Sequence, residues 1–366
     1  MSKNNTVKKL SVETDTTIYE IELGQIQIAI TGRCNMDCQH CRAANEIGED
    51  MPIEQIVKII RFGKRYSQAY KEVVISGGEP FAHKEFESVI KEVRKNGVES
   101  LTITTNGTLV TEKHLQLFKE LAFRKLTFSV SLDSLDPLAH NEFRRHKNAY
   151  DLAIQAVKMI QKEKADNWIT SLRMTLKPSM IDEMDDMIQF AKSFGVERVG
   201  FSSIHPSGAA ISRPDFWMTK AQKKQFLENI FVLRKKYPLP FRIETNDPLK
   251  CIVRSDDCTE ESSDRDDSIK FGGCGAAAVT FNVCANGDMT PCALMDLPMM
   301  NVFNLSIDEM AENYRKNEIV KNMLKMNLKG KCGTCKIKYS CGGCRARALG
   351  INGDYLGEDP DCWLDN

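Results

Sequence analysis

Between residues 26 and 237 the chain repeats one pattern six times: a short apolar run, a polar turn, then a stretch with helical spacing of apolar residues. The apolar runs are Ile26–Ile30, Glu72–Ser76, Leu101–Thr105, Leu126–Ser131, Ile169–Met174 and Val199–Ser203. The helical stretches carry Ile53, Ile56, Val57, Ile60 and Phe62, then residues 83–96, Leu115 to Phe123, and Ala153, Ile154, Val157 and Ile160. Two more run from Ile181 to Phe194, with Ser179 and Asp182 placed as a capping-box variant, and from a Thr219/Gln222 capping box to Tyr237. Single helices between strands demand right-handed crossovers and a parallel sheet. Six units are too few to close a standard eight-stranded barrel. The polar motifs fall just after the strands, which gathers them at the C-terminal rim, where βα enzymes do chemistry.

The chain has 366 residues, enough for one large domain and a smaller one, and 50 basic residues balance 50 acidic ones. That balance gives no electrostatic case for nucleic acid as a general partner. No apolar run reaches membrane-spanning length, and the opening Met1-Ser2-Lys3-Asn4-Asn5 is no signal peptide, so a cytoplasmic location is expected. Thirteen cysteines are many for such a chain. Without an export signal they read as metal ligands rather than disulfides. Cys34, Cys38 and Cys41 follow the first strand with three and then two residues between them. A [4Fe–4S] cube wants four thiolates, and this loop offers three with no obvious fourth, which suits a cluster with one open iron. A zinc site with three sulfurs and a water is the alternative on spacing alone.

C-x3-C-x2-C after an apolar strand resembles the signature of the radical S-adenosylmethionine (SAM) superfamily, and Ser76-Gly77-Gly78-Glu79-Pro80 resembles that family's second motif. The resemblance implies a partial (β/α)6 barrel and an open iron chelated by SAM. It implies SAM contacts from His40, Gly77, Gly78, Glu79, Asn106, Ser131, Asp133 and Arg144. For Arg144 the competing reading is a surface salt bridge, and for His40 a mere cap on the cysteine loop. Downstream, Cys274, Gly287, Cys292, Cys332, Cys335, Cys341, Cys344 and Cys362 resemble the SPASM extension of these enzymes, which carries two auxiliary [4Fe–4S] clusters. Cys332-x2-Cys335-x5-Cys341-x2-Cys344 is a tight fit for a zinc ribbon, and a cluster-binding loop tolerates that spacing better. Carried over, one cluster takes Cys332, Cys335, Cys341 and Cys362, and the other takes Cys274, Cys292 and Cys344. Cys344 departs from the family pattern by one residue. Cys284 matches no family position; it is a possible fourth ligand or a core thiol.

The expected organisation is an N-terminal arm over 1–24, a radical SAM barrel over 25–240, an acidic linker over 241–273 and a SPASM domain over 274–366. Within the linker, residues 254–270 are nearly devoid of apolar side chains and read as a mobile loop or lid. The favoured function is a SAM-cleaving enzyme that abstracts hydrogen from a ribosomally made peptide, drawing electrons from an external reductant such as flavodoxin or ferredoxin. An epimerase outcome needs a hydrogen-atom donor, for which Cys251 and Cys258 are the catalytic candidates. Cys41-Arg42-Ala43 and Pro206-Ser207-Gly208-Ala209-Ala210 resemble heme-synthesis relatives, so tetrapyrrole decarboxylation is the alternative. A non-catalytic iron–sulfur or zinc protein is the second alternative.

Overall fold

The computed structural model describes residues 9–21, 25–44, 49–67, 71–253 and 273–364. The expected acidic loop over 254–270, and Cys258 within it, lie outside these residues. Among the described residues no helix is long and apolar enough to cross a membrane.

Strands β3 (Gln25–Ala29), β4 (Glu72–Ser76), β5 (Ser100–Thr105), β6 (Lys125–Ser131), β7 (Trp168–Leu176), β8 (Arg198–Ser203) and β9 (Arg242–Glu244) pair in parallel, each with the next. Helices α1 (Ile53–Tyr66), α2 (Phe86–Lys95), α3 (Glu112–Leu121), α4 (Pro137–Arg144), α5 (Ala149–Glu163), α6 (Met184–Ser193) and α7 (Lys220–Lys236) supply the crossovers. Alternation along each strand makes two faces. Ile26, Ile28, Val73, Ile75, Leu101, Ile103, Phe128, Leu172, Met174 and Phe201 are buried in one core with Ile56, Ile60, Val89, Phe118, Val157, Ile188 and Phe226 of the helices. The other face, with Gln27, Thr102, Thr104, Ser129, Arg173 and Ser202, is polar and half-buried. This polar side is the lumen face of the sheet.

Among the described residues the sheet gains four strands beyond the six expected, one at one edge and three at the other. β9 lies inside the segment read as linker, and a helical turn, α8 (Lys250–Val253), follows it. At the far edge β10 (Thr280–Val283) pairs in parallel with β3, then β11 (Asp288–Thr290) and β12 (Met300–Asn301) continue antiparallel. β9 and β12 are the free edges, so the sheet stays open. The N-terminal arm is a hairpin, β1 (Leu10–Glu13) with β2 (Ile18–Ile21), whose Leu10, Val12 and Ile21 join the main core.

The capping box at Thr219/Gln222 forms as its spacing predicts, and a second, with the same S/T-x-x-E/Q spacing, forms at Ser306/Glu309. Ser179 and Asp182 do not cap a helix. Pro178 opens a 3-10 segment through Glu183, and α6 starts only at Met184. The C-terminal region holds more helix than its one obvious cap suggests: α9 (Ile307–Lys316), α10 (Glu318–Lys325), α11 (Gly330–Thr334), α12 (Lys338–Cys341) and α13 (Arg345–Asn352).

Candidate active site

The rim at the C-terminal ends of β3–β8 carries the first cysteine loop. Two backbone approaches hold it in place. The N–H groups of Gly78 and Glu79 donate to the carbonyls of Thr31 and Arg33, each at 2.8 Å. A Cβ on Gly78 would sit 2.3 Å from the Arg33 oxygen, so only glycine permits the contact. From the other side, the Ala209 N–H donates to the Cys41 carbonyl at 2.9 Å, and Gly208, at φ +54°, leaves room for that carbonyl. The two stretches that resemble heme-synthesis relatives therefore touch each other. Cys34, Cys38 and Cys41 sense one another electrostatically, and burial pushes the Cys38 thiol up to about 11. Loading a metal group there must expel protons.

Around this loop the rim side chains form a connected set. Glu79 is fully buried; its carboxylate accepts from Asn106 N–H and Thr105 Oγ1, each at 2.7 Å, and from Phe81 N–H at 3.3 Å. Burial nevertheless lifts its carboxyl to about 7. Asn106 Nδ2 donates to Asn35 Oδ1 at 3.0 Å, which ties the cysteine loop to the end of β5. Ser131 ends β6, buried beside Arg173 of β7. Asp133 and Arg144 form a buried ion pair: Arg144 Nε and Nη2 each lie 2.7 Å from Asp133 Oδ2, while Thr175 N–H occupies Oδ1 at 2.9 Å. Burial alone would raise Asp133, but the guanidinium holds it below its ordinary value. The surface salt bridge weighed for Arg144 does not form. Its third nitrogen, Nη1, stands 4.0 Å from Cys38 Sγ. His40 stacks on Phe143, with centroids 4.1 Å apart and planes 13° from parallel, and its buried Nδ1 has no hydrogen-bond partner. Burial depresses its pKa to about 3, so the ring is neutral.

The C-terminal cysteines fall into two neighbourhoods. Cys332, Cys335, Cys341 and Cys362 line one pocket of about 350 Å³, walled by Leu249, Ile252, Ile337 and Leu364. Cys274, Cys292 and Cys344 neighbour one another, and burial raises the thiols of Cys292 and Cys344 to about 12. The groups share a seam: Cys274 N–H donates to the Cys341 carbonyl at 3.1 Å, and a Cβ on Gly273 would lie 1.9 Å from that oxygen. Among the described residues no three Cys, His, Asp or Glu side chains close around a point at single-ion spacing. A tetrahedral zinc needs Zn–S bonds of about 2.3 Å, whereas a four-iron cube spaces its thiolates by its own irons and sulfides. An apolar pocket with four thiols on its wall fits that larger group.

Of the remaining thiols, Cys251 lies on α8, hydrogen-bonded with Cys341 beside the four-cysteine pocket. Cys284 follows β10, as the first cysteine loop follows β3. It lines a second pocket of about 620 Å³ together with Arg42, Ser207, Gly208, Asp288 and Asp296. Arg42, the middle residue of the Cys41-Arg42-Ala43 stretch, ties that pocket to the rim: it donates to the Ala293 carbonyl at 3.0 Å and to Ser76 Oγ at 3.2 Å. Arg173 escaped the motifs. Strand alternation was the available signal, since it sets an arginine between Leu172 and Met174 on the polar face.

Residues 28–191 match the model of the Radical SAM superfamily. The chain is 25% identical over 354 residues to the AdoMet-dependent heme synthase of Methanosarcina barkeri, covering 91% of this chain and 94% of that one. It is 22% identical over 330 residues to the antilisterial bacteriocin subtilosin biosynthesis protein AlbA of Bacillus subtilis, covering 88% and 67%. Among solved structures, Streptococcus suis SuiB bound to precursor peptide SuiA superposes with a TM-score of 0.76 at 17% identity, over 94% of this chain and 77% of that one.

Proposed function

This chain is a radical SAM enzyme, and on that premise we propose that it abstracts hydrogen from a peptide held between the sheet rim and the cysteine-rich C-terminal segment. SAM and one four-iron cluster come with the family. Cys34, Cys38 and Cys41 would hold that cluster. When bound, it supplies the low-potential electron that splits SAM into methionine and a 5′-deoxyadenosyl radical. In this reading Glu79 accepts the SAM amino group, the turn at Gly77 and Gly78 lets backbone approach it, and Asn106 and Ser131 line the site. Asp133 keeps Arg144 charged and aimed past Cys38, a positioning role. His40 and Phe143 make an apolar wall.

The observation that carries the reading is the sorting of ten cysteines into a rim trio, a second trio and a four-thiol pocket. We assign residues 274–366 as a SPASM-type domain with two auxiliary clusters, and residues 25–244, through β9, as the barrel. An external one-electron donor reduces the centres. A peptide is favoured because the 620 Å³ pocket mixes Asp288, Asp296, Thr290 and Asn286 with a single arginine, Arg42. That polarity suits a polypeptide better than a ring bearing several carboxylates. Tetrapyrrole decarboxylation is the second reading, favoured by the nearly full-length similarity to a heme synthase and by the contact between Cys41 and the Gly208 loop.

Anaerobic reconstitution with iron and sulfide is expected to load about 12 irons, four per cluster. Dithionite and SAM should then yield 5′-deoxyadenosine, and replacing Cys34, Cys38 and Cys41 by Ala should abolish it. Stoichiometric zinc with no iron uptake would overturn the reading. Incubation with a peptide encoded beside the gene, then with a tetrapyrrole carboxylate, separates the two substrate classes by which one changes mass.

A further inference from the structure

Arg173 stands on the lumen face of the sheet, and among the described residues no carboxylate pairs with it. It lies mid-strand on β7, opposite Ser131 of β6 on one side and Gly200 of β8 on the other. Its neighbours along the strand, Leu172 and Met174, point to the helix-packed core, so the guanidinium faces the lumen. A guanidinium has five N–H donors in a planar fork. Here Nη2 donates to Ser202 Oγ at 2.9 Å, and no described carboxylate reaches ion-pair distance. The acids that could serve are engaged elsewhere. Asp133 is taken by Arg144 and Thr175, and Glu244, opposite Gly200 on β9, pairs with Arg198 at 3.4 Å. Burial lowers the Arg173 pKa, and the like charges of Arg42 and Arg144 add to that, against an upward pull from the Asp133 carboxylate beyond ion-pair distance.

Space is reserved beside this cation. Gly200 bears no side chain on the lumen face, and a Cβ there would meet only the Leu172 carbonyl, at 4.0 Å. A half-buried guanidinium beside like charges is stabilised by an anion that completes it, and a planar carboxylate matches its fork with two parallel hydrogen bonds.

We propose that Arg173 receives a carboxylate of the substrate, which enters the lumen beside Gly200 and pairs with the open side of the guanidinium. This rests on the radical SAM reading above and adds the substrate's charge to it. The carboxylate belongs to an acidic side chain or C-terminus of a peptide, or to a propionate of a tetrapyrrole; the chemistry at Arg173 is the same.

The test uses reconstituted holoenzyme with SAM present and two probe pairs in equilibrium binding. One pair is a glutamate-containing pentapeptide amide and its glutamine counterpart; the other is a tetracarboxylate porphyrin and its methyl ester. Wild type is expected to prefer the acid of one pair by about tenfold or more, the strength of a charge-assisted bidentate pair, and the preferred pair identifies the source. Arg173→Gln should erase that preference with SAM affinity unchanged, and Arg173→Lys should keep part of it. Gly200→Val retains the guanidinium but fills the space, and should weaken the acid too. If Arg173→Gln loses its clusters, Arg173→Lys and Gly200→Val carry the test. Loss of SAM affinity in Arg173→Gln with the acid preference intact would assign the guanidinium to SAM and overturn the proposal. No acid preference in wild type overturns it equally. Failure to form 5′-deoxyadenosine would sink the enzyme reading instead, a separate measurement.

Discussion

At the scale of single residues, Glu79 shows how burial and hydrogen bonding compete. Three donors favour its charged form, yet desolvation wins and lifts the carboxyl from an ordinary 4.5 to about 7. The folded state then binds this proton more tightly than the unfolded chain does. Its contribution favours folding below pH 4.5 and is lost as pH rises through about 7. At about 1.4 kcal/mol per pKa unit the effect is roughly 3 kcal/mol. Urea unfolding of apoprotein between pH 5 and 7.5 should show wild-type stability falling with pH, and Glu79→Gln should flatten that part of the slope. The amino N–H of bound SAM would donate to the ionised carboxylate and favour it, so SAM affinity in holoenzyme should rise from pH 6 to pH 8 and lose that dependence in the same variant. A flat wild-type profile would contradict the assignment of Glu79 to the amino group.

At the scale of elements, the cysteine loop is shaped by turns from elsewhere in the chain. Gly208 illustrates this, because a Cβ there would lie 2.2 Å from the Cys41 oxygen and 2.5 Å from that of Arg42. Gly208→Ala should displace Cys41 and cost the rim cluster, about a third of the iron if each cluster holds four, while leaving the helices intact by circular dichroism. Gly353→Ala is the control. It shares a left-handed backbone, φ +71°, but nothing lies within 4 Å of its Cβ. It should cost about 1 kcal/mol of stability and no iron. Equal iron loss in both variants would argue against the packing explanation.

At the scale of the molecule, a buried charge network joins the barrel to the C-terminal segment. Lys223 of α7 reaches Ser203 Oγ, Asp247 at 3.0 Å and Asp361 at 3.3 Å. Arg347 of α13 reaches Asp247 and Asp359, each at 2.7 Å. Asp359 in turn accepts the Cys344 N–H at 2.6 Å and donates its own N–H to Cys332 Sγ at 3.4 Å. One residue thus touches both C-terminal cysteine groups, one through its carboxylate and the other through its backbone N–H. Burial would raise Asp247, but Arg347 and Lys223 hold it well below its ordinary value. Removing one member strands its partners in low dielectric, so Arg347→Met should destabilise the protein by about 3–5 kcal/mol. Denaturant unfolding measures the loss, and iron analysis should show the C-terminal clusters depleted while the rim cluster survives. An unchanged midpoint would mean the network is not what joins the two parts.

The linear order of residues determined much of this protein by itself. Alternating strands and helices dictate a parallel sheet, strand ends dictate a rim, and Cys34, Cys38, Cys41 and Gly77-Gly78-Glu79 are legible because the proposed cluster binding and the tight turns need fixed local spacing. Capping at Thr219 and Ser306 is local in the same sense. Pro178 was a local signal too, but its 3-10 turn overrode the Ser179 cap. The rest depended on contacts across long stretches of chain. β9 is only three residues long and β10 only four, too short to stand out until neighbouring strands complete their hydrogen bonds. Cys251 resembled a free donor thiol until α8 set it against Cys341, and Arg144 seemed available until folding buried Asp133 beside it. Arg173 and Arg347 carry no motif at all. Their roles arise from what surrounds a buried charge, and only the tertiary structure decides which counter-charges reach it and which are already taken.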